Sequence, residues 1–296
     1  MKRFGLAVLV ILTLALACGS PQTAEAPVTR APTFTARPTA APTADTDTVV
    51  FDTPTPSPVP TLPPTPTPTP APTPVPPLYG LRIGLDPGHQ QRADINQEPI
   101  APDELKTKMK CSSGTRGIAT GIYEYEVNLA VALKLQALLE EGGAEVVITR
   151  TTNSVNISNR ERAELFNENE VDLAVRLHCN GTDDTSVRGA FMLLPSQERT
   201  AYYNENVRAA TAIIEQYCAI TGLSMRKRNG ITYSSEQTGF NWCTRPIVCI
   251  EMGHMSNETE DLLLTNDTFQ DKMAFGIYRG ILAYFDPDSV EEGDNP

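Results

Sequence analysis

Leu81-Arg82-Ile83-Gly84-Leu85-Asp86-Pro87-Gly88-His89 sets a short apolar run against an Asp-Pro-Gly turn, with a histidine immediately beyond it. The run reads as a buried strand, Leu81–Leu85, that stops at a tight turn. The same design recurs twice downstream. Val171–Leu177 reads as a strand closed by His178-Cys179-Asn180-Gly181, and Ile247–Ile250 is an apolar strand leading into Glu251. Between these lie helical stretches. In Glu124–Glu141, Val127, Val131, Leu135, Leu138 and Leu139 recur at three- and four-residue spacing before Gly142-Gly143. Ser158 and Glu161 form a capping-box pattern for a helix reaching about Asn167. Tyr203–Ala219, Glu258–Leu264 and Thr268–Phe285 read as further helices, and Ala144–Thr149 and Gly189–Leu194 as further strands. Strands alternating with helices predict a single α/β domain with a mostly parallel mixed sheet flanked by helices. Residues 90–121, polar and carrying Gly114, Gly117 and Gly121, read as a long irregular surface insertion.

The rest of the chain is organised by composition. Eighteen of the 25 prolines lie between Pro21 and Pro77, so the 296-residue chain cannot build its core there. Lys2 and Arg3 precede an apolar run, Leu6–Ala17, of the length of a signal-peptide core and too short to span a bilayer. Leu14-Ala15-Leu16-Ala17-Cys18-Gly19 resembles a bacterial lipobox, which makes Cys18 the candidate lipid-attachment residue. The expected domains are therefore a lipoprotein signal peptide over 1–17, the attachment cysteine with a Pro/Thr-rich disordered linker over 18–78, a catalytic domain over 79–286 and an acidic tail over 287–296. The linker could reach roughly 180 Å if fully extended in polyproline II form. Charges balance over residues 1–78, so the whole formal net charge of −12 falls on the folded part. That excludes the basic footprint of a nucleic-acid binder.

The chain has only three histidines, and two of them, His89 and His178, follow predicted strands, as Glu251 does. Open α/β sheets collect ligands outside the carboxyl ends of their strands, so one crevice could gather all three. Glu124 opens the long helix and could point into the same crevice. Two imidazoles and a carboxylate match a catalytic zinc site that leaves a fourth position for water, with a second glutamate carrying the proton. Glu126 is the rival of Glu124, but it lies about 200° around the helix, so both cannot face one metal. His254 reads as a pocket-wall or surface residue or as a substrate contact, and Asp86 as the residue that fixes the turn or orients a ligand.

These segments are similar, in order, to the motifs of the amidase_3 family of zinc-dependent N-acetylmuramoyl-L-alanine amidases. Ile83–His89 looks like the opening motif, Glu124–Leu129 the second, Ala174–Asn180 the third and Arg245–Asn257 the fourth; Thr149-Arg150 and Asn159–Ala163 also fall in the family order. The sequence departs from the pattern at Gln90-Gln91, Cys179 and His254. The resemblance covers residues 81–285. It implies His89, Glu124 and His178 as ligands of Zn2+, Glu251 as the catalytic acid/base, and Asn180 and Arg245 as substrate contacts. The implied reaction is hydrolysis of the amide between the lactyl group of N-acetylmuramic acid and L-alanine of peptidoglycan stem peptides. A zinc peptidase on cell-wall peptides and a non-catalytic murein-binding lipoprotein are the alternatives. The partners expected are peptidoglycan and, through the anchor, a membrane, for an exported, monomeric chain. Beyond Cys18 the cysteines are 111, 179, 218, 243 and 249, an odd number; if a bridge forms, Cys218–Cys243 is the expected pair.

Overall fold

Successive side chains of a strand point to opposite faces of its sheet, and β1 (Arg82–Pro87) shows how this chain uses that rule. Ile83 and Leu85 enter the larger apolar core, whereas Gly84 faces the other side, where a Cβ would lie 2.7 Å from the ring of Phe166. The structure, a computed structural model, describes residues 75–227 and 229–289. The signal peptide, Cys18, most of the linker and most of the acidic tail lie outside the described residues.

Beside β1, the main sheet contains β4 (Glu145–Ile148), β5 (Leu173–Asn180), β6 (Phe191–Pro195), β7 (Ile231–Ser234) and β8 (Ile247–His254). Their order is β4-β1-β5-β8-β6-β7. The first four are mutually parallel; β6 pairs antiparallel with β8 and parallel with β7. The larger core joins one face to α1 (Glu124–Glu141), α3 (Tyr203–Thr221) and α6 (Asp267–Phe285), with α5 (Glu258–Leu264) contributing Leu264. A smaller cluster joins the other face to α2 (Asn159–Glu168) and α4 (Thr238–Asn241) through Ala163, Phe166 and Phe240. This is the expected α/β domain with a mostly parallel mixed sheet.

The helix ends follow local chemistry. Ser158 Oγ accepts from the Glu161 amide at 3.1 Å while Glu161 accepts from the Ser158 amide at 2.7 Å, closing the predicted capping box. Gly222 ends α3 in the left-handed conformation that glycine adopts without penalty.

Four expectations are corrected. Residues 90–121 are not irregular throughout: β2 (Asp94–Pro99) and β3 (Thr107–Cys111) form an antiparallel hairpin. Its strands bury only Glu98 and Cys111, so they lack the apolar alternation that marks a strand in sequence. β5 and β8 run past the apolar segments to include His178 and Glu251, because the parallel ladder continues beyond the hydrophobic stretch. Leu78, assigned to the linker, is fully buried and its amide donates to the Gly142 carbonyl at 2.9 Å; a single leucine beside prolines carries no periodic signal. The Cys218–Cys243 bridge is absent and all five described cysteines are free. Cys218 packs on the larger core and Cys243 in the smaller cluster, on opposite faces of the sheet.

Asp86, fully buried at the end of β1, ties the two layers together. Its carboxylate accepts from Arg162 Nη1 of α2 at 2.6 Å, Arg176 Nε of β5 at 2.8 Å and Thr149 Oγ1 beyond β4 at 2.8 Å. Burial alone would raise this carboxyl, but the two guanidinium groups hold it far below the usual carboxylate range. Removing one partner of a buried ion pair leaves the others as uncompensated charge, so Asp86→Ala is expected to cost about 3–5 kcal/mol of unfolding free energy. A group whose folded pKa is depressed stabilises above its unfolded value and loses that contribution as pH falls. The gap between wild type and Asp86→Ala in urea titrations is therefore expected to be wide at neutral pH and to narrow below about pH 4.

Candidate metal centre

The first turn of α1 meets the carboxyl ends of β1 and β5. Glu124 is the first residue of that helix and is almost fully buried. Its Oε1 lies 3.1 Å from His89 Nε2 and 3.0 Å from His178 Nδ1, and it accepts from the Cys179 amide at 3.1 Å. Its Oε2 accepts from the Thr115 amide at 2.9 Å. One turn on, Asn128 Nδ2 lies 3.4 Å from the same carboxylate and 3.2 Å from the Gly88 carbonyl, which gives the Glu-to-Asn spacing a structural meaning. Burial would raise the Glu124 carboxyl, but the His89 and His178 rings hold it well below the usual range. Glu126, the rival, is exposed and caps the helix by accepting from the Tyr123 amide at 3.0 Å.

The two imidazoles are placed by backbone constraints. His89 has φ 63°, a left-handed conformation unusual for a side-chain-bearing residue. The carbonyls of Pro87, Gly88 and His89 all accept from the buried guanidinium groups of Arg150 and Arg162, which pins that turn. A Cβ on Gly88 would lie 2.2 Å from the His178 ring, so only glycine lets the turn pass so close. The rings meet edge to face at 4.7 Å between centroids. His89 Nδ1 lies 2.9 Å from Ser112 Oγ and 3.1 Å from the Ser112 carbonyl, which leaves Nε2 turned toward Glu124. Burial pushes the His178 imidazole down to about 4, toward the neutral form that ligates metal.

His89, Glu124 and His178 each offer one donor atom, all within 4.8 Å of one another. Two imidazoles and one carboxylate, oriented by Ser112, Cys179 and Thr115, fit a zinc ion in chemistry and spacing. Sheet register brings Glu251 beside them: it pairs with His178 on the neighbouring strand. Glu251 Oε2 is buried without a hydrogen-bond partner, and burial together with the Glu124 charge pushes its carboxyl up to about 8, against the pull of Arg176 and Arg226. A cavity of about 390 Å³ opens over the site, with His89, His178, Ser112, Lys108 and Thr238 in its wall. A larger cavity of about 470 Å³ between α1 and α6 contains no imidazole and no convergent donor set, so the chemistry is assigned to the smaller one.

Not every candidate converges here. Asn180 lies two residues beyond His178, opposite His254, because β8 carries one extra residue relative to β5 after Glu251. Its Nδ2 is 3.3 Å from His254 Nε2, and His254 is fully buried. Arg245 donates to the Val171 and Glu170 carbonyls, at the amino end of β5 and away from the donor set. Cys179 points into the larger core, opposite His178, as strand alternation requires. Sequence reasoning gave no role to Ser112 and Thr115. Their segment, Ser112-Ser113-Gly114-Thr115, is polar and glycine-bearing, and nothing in it announces contact with residues 23 positions upstream and nine downstream.

Residues 83–283 match the Amidase_3 family, described as N-acetylmuramoyl-L-alanine amidase. The germination-specific N-acetylmuramoyl-L-alanine amidase of Bacillus subtilis is 29% identical over 237 residues, covering 74% of this chain and 84% of that protein. Among solved structures, the amidase Ami1 of Mycobacterium smegmatis superposes with a TM-score of 0.66 at 26% identity, over 71% of this chain and 99% of its own. The catalytic domain of CwlV from Bacillus (Paenibacillus) polymyxa var. colistinus gives 0.57 at 25% identity, over 70% and 98%. The described fold and the span of the match place this chain in the Amidase_3 family of N-acetylmuramoyl-L-alanine amidases.

Proposed function

We propose that the domain is a zinc-dependent N-acetylmuramoyl-L-alanine amidase that cuts peptidoglycan between the lactyl group of N-acetylmuramic acid and L-alanine of the stem peptide. The observation that carries this reading is the convergence of His89, Glu124 and His178, with the unpartnered Glu251 carboxylate on the adjacent strand. The names of the relatives support the bond class. An amide is a poor electrophile with a poor leaving group. The chemistry that a zinc ion supplies when bound by these three residues is Lewis acidity, which polarises the carbonyl and lowers the pKa of water toward ~7. Glu251 takes the proton of the attacking water on Oε2 and hands it to the departing amine nitrogen. Its buried setting, poor in hydrogen bonds, makes it a stronger base than an exposed glutamate. The extra positive charge of an occupied site draws its carboxyl back toward ionisation. The buried Asp86, with both oxygens engaged by arginines, takes no part in proton transfer and acts by holding the turn that carries His89.

The reading extends to the amino terminus. Among the described residues no helix is long and apolar enough to cross a membrane. The Leu14–Cys18 stretch supports an exported lipoprotein held through Cys18, with the Pro/Thr-rich segment as a tether. Several acyl chains on one residue hold a protein stably where a single chain does not.

His89→Ala, Glu124→Ala and His178→Ala are each expected to lose zinc by elemental analysis, while Glu126→Ala keeps it; the reverse result for the two glutamates would reassign the third ligand. Glu251→Gln preserves shape but accepts no proton. It should retain close to one zinc and lose about 10²–10⁴-fold in turnover, read by mass spectrometry of muropeptides. Free lactyl-sugar ends with peptides beginning at L-alanine are the expected products, and cuts inside the stem would make the protein a peptidase. Cys18→Ser is expected to move the protein from the membrane to the soluble fraction, and retention in the membrane would overturn the anchor.

A further inference from the structure

Glu124, the carboxylate of the donor set, is held by a loop whose far end is anchored elsewhere in the fold. The Thr115 amide donates to Glu124 Oε2 at 2.9 Å, and the Glu124 amide donates back to the Thr115 carbonyl at 3.0 Å. Between them the chain makes a small antiparallel ladder. Arg116 bridges to Tyr123, the Gly117 amide donates to the Ile122 carbonyl at 2.8 Å, and the Gly121 amide closes the turn on the Gly117 carbonyl at 3.0 Å. The open end of this loop is the metal ligand and its hydrogen-bond donor, and the tip is Ala119-Thr120.

Asp261 of α5 takes that tip. Its Oδ2 accepts from the Ala119 amide at 2.7 Å and the Thr120 amide at 2.8 Å, and its Oδ1 from Thr120 Oγ1 at 2.8 Å. The carboxylate is fully buried, and the loop approaches it so closely that a Cβ on Gly117 would lie 2.1 Å from Oδ1. The preceding residue, Glu260, faces a different part of the fold. Its Oε1 accepts from the Gly189 amide at 2.7 Å and its Oε2 from the His254 amide at 2.8 Å, at the end of the strand that carries Glu251. Two adjacent buried acids on one short helix thus grip the loop that ends in Glu124 and the strand that presents Glu251. A buried carboxylate is costly unless its lone pairs are filled, and one filled by the amides of a loop fixes that loop in place.

We propose that Asp261 is a positioning residue for Glu124. By holding the tip of the 115–123 loop it keeps the Thr115 amide against the Glu124 carboxylate, and so raises the affinity of the donor set for zinc. This rests on the zinc reading of the site. Asp261 offers the metal no donor of its own, since both its oxygens are occupied by the loop. Groups that orient a metal ligand from outside the donor set are typically worth about 10–100-fold in metal affinity.

The test measures zinc affinity of the full-length protein by competition with a chromophoric chelator, beside urea unfolding of the metal-free protein. Asp261→Ala is expected to bind zinc about 10–100-fold more weakly than wild type. Asp261→Asn should recover most of that loss, because its carbonyl oxygen still accepts both amides and its own amide can donate to Thr120 Oγ1. Gly117→Ala reaches the same contact from the loop side. Its methyl group pushes the loop off Asp261 without removing a buried side chain, so it weakens zinc binding too and carries the test should Asp261→Ala not fold. Gln270→Ala is the control: it removes a buried donor to the Leu264 carbonyl, 2.9 Å away at the other end of α5, and should lower stability with zinc affinity unchanged. Wild-type zinc affinity in Asp261→Ala or in Gly117→Ala would overturn the assignment. Asp261→Asn as weak as Asp261→Ala would overturn it in favour of a charge effect, and Gln270→Ala as weak would reduce it to general destabilisation. A wild-type protein that takes up no zinc would overturn the zinc reading itself, a result distinct from tight binding that Asp261→Ala leaves intact.

Discussion

The buried cluster of one carboxylate and two guanidinium groups around Asp86 is the constraint on which the site depends. Asp86 sits where β1 ends, Arg176 is its register partner on β5, and Arg162 reaches across from α2. Ions in such a place are costly to desolvate and tolerable only when mutually paired. The pairing therefore fixes two strands and a helix relative to one another at the level where the functional residues begin. Arg162 and Arg150 then use their remaining donors on the carbonyls of Pro87, Gly88 and His89. The left-handed turn that aims the His89 ring is thus held by the same groups that join the layers.

Strand parity does the next part of the work. On β5, Leu173, Val175, Leu177 and Cys179 fill the larger core, so Arg176, His178 and Asn180 must face the other side. On β8, Val248, Ile250 and Met252 do the same, and Glu251 is left beside His178. Both strands spend their apolar alternation on one core and present polar groups to the cleft side, at adjacent positions. Glu124 arrives from elsewhere, at the amino end of a helix packed on the opposite face. The helix terminus brings a carboxylate over the sheet edge, where the Cys179 and Thr115 amides can bind it.

The segment between the first histidine and that helix takes on an unforeseen role. Its hairpin supplies a cleft wall, and its return strand leads into Ser112, Gly114 and Thr115, which lie directly against His89 and Glu124. A Cβ on Gly114 would lie 2.5 Å from the Glu124 carboxylate and 2.8 Å from the His89 ring. The insertion is therefore part of what positions His89 and Glu124.

The α/β class, the boundaries of α1 and α5, the capping box of α2 and the candidates His89, Glu124, His178 and Glu251 were legible in the order of residues alone. Those features are local: periodicity, cap chemistry and residue type at strand ends are set by neighbours within a few positions. Helical geometry forbids Glu124 and Glu126 from both facing one point, and the resemblance to the family's Glu-to-Asn spacing selected Glu124 between them. Pairing across long separations emerged only in the assembled fold. The association of Asp86 with Arg162 and Arg176, the approach of Ser112 to His89, the exclusion of Arg245 and the separation of Cys218 from Cys243 all depend on strand order and on which face of the sheet each residue reaches. Strand order is not written in any single strand, since parallel neighbours are joined through long crossovers and their register is fixed only when the shared cores close.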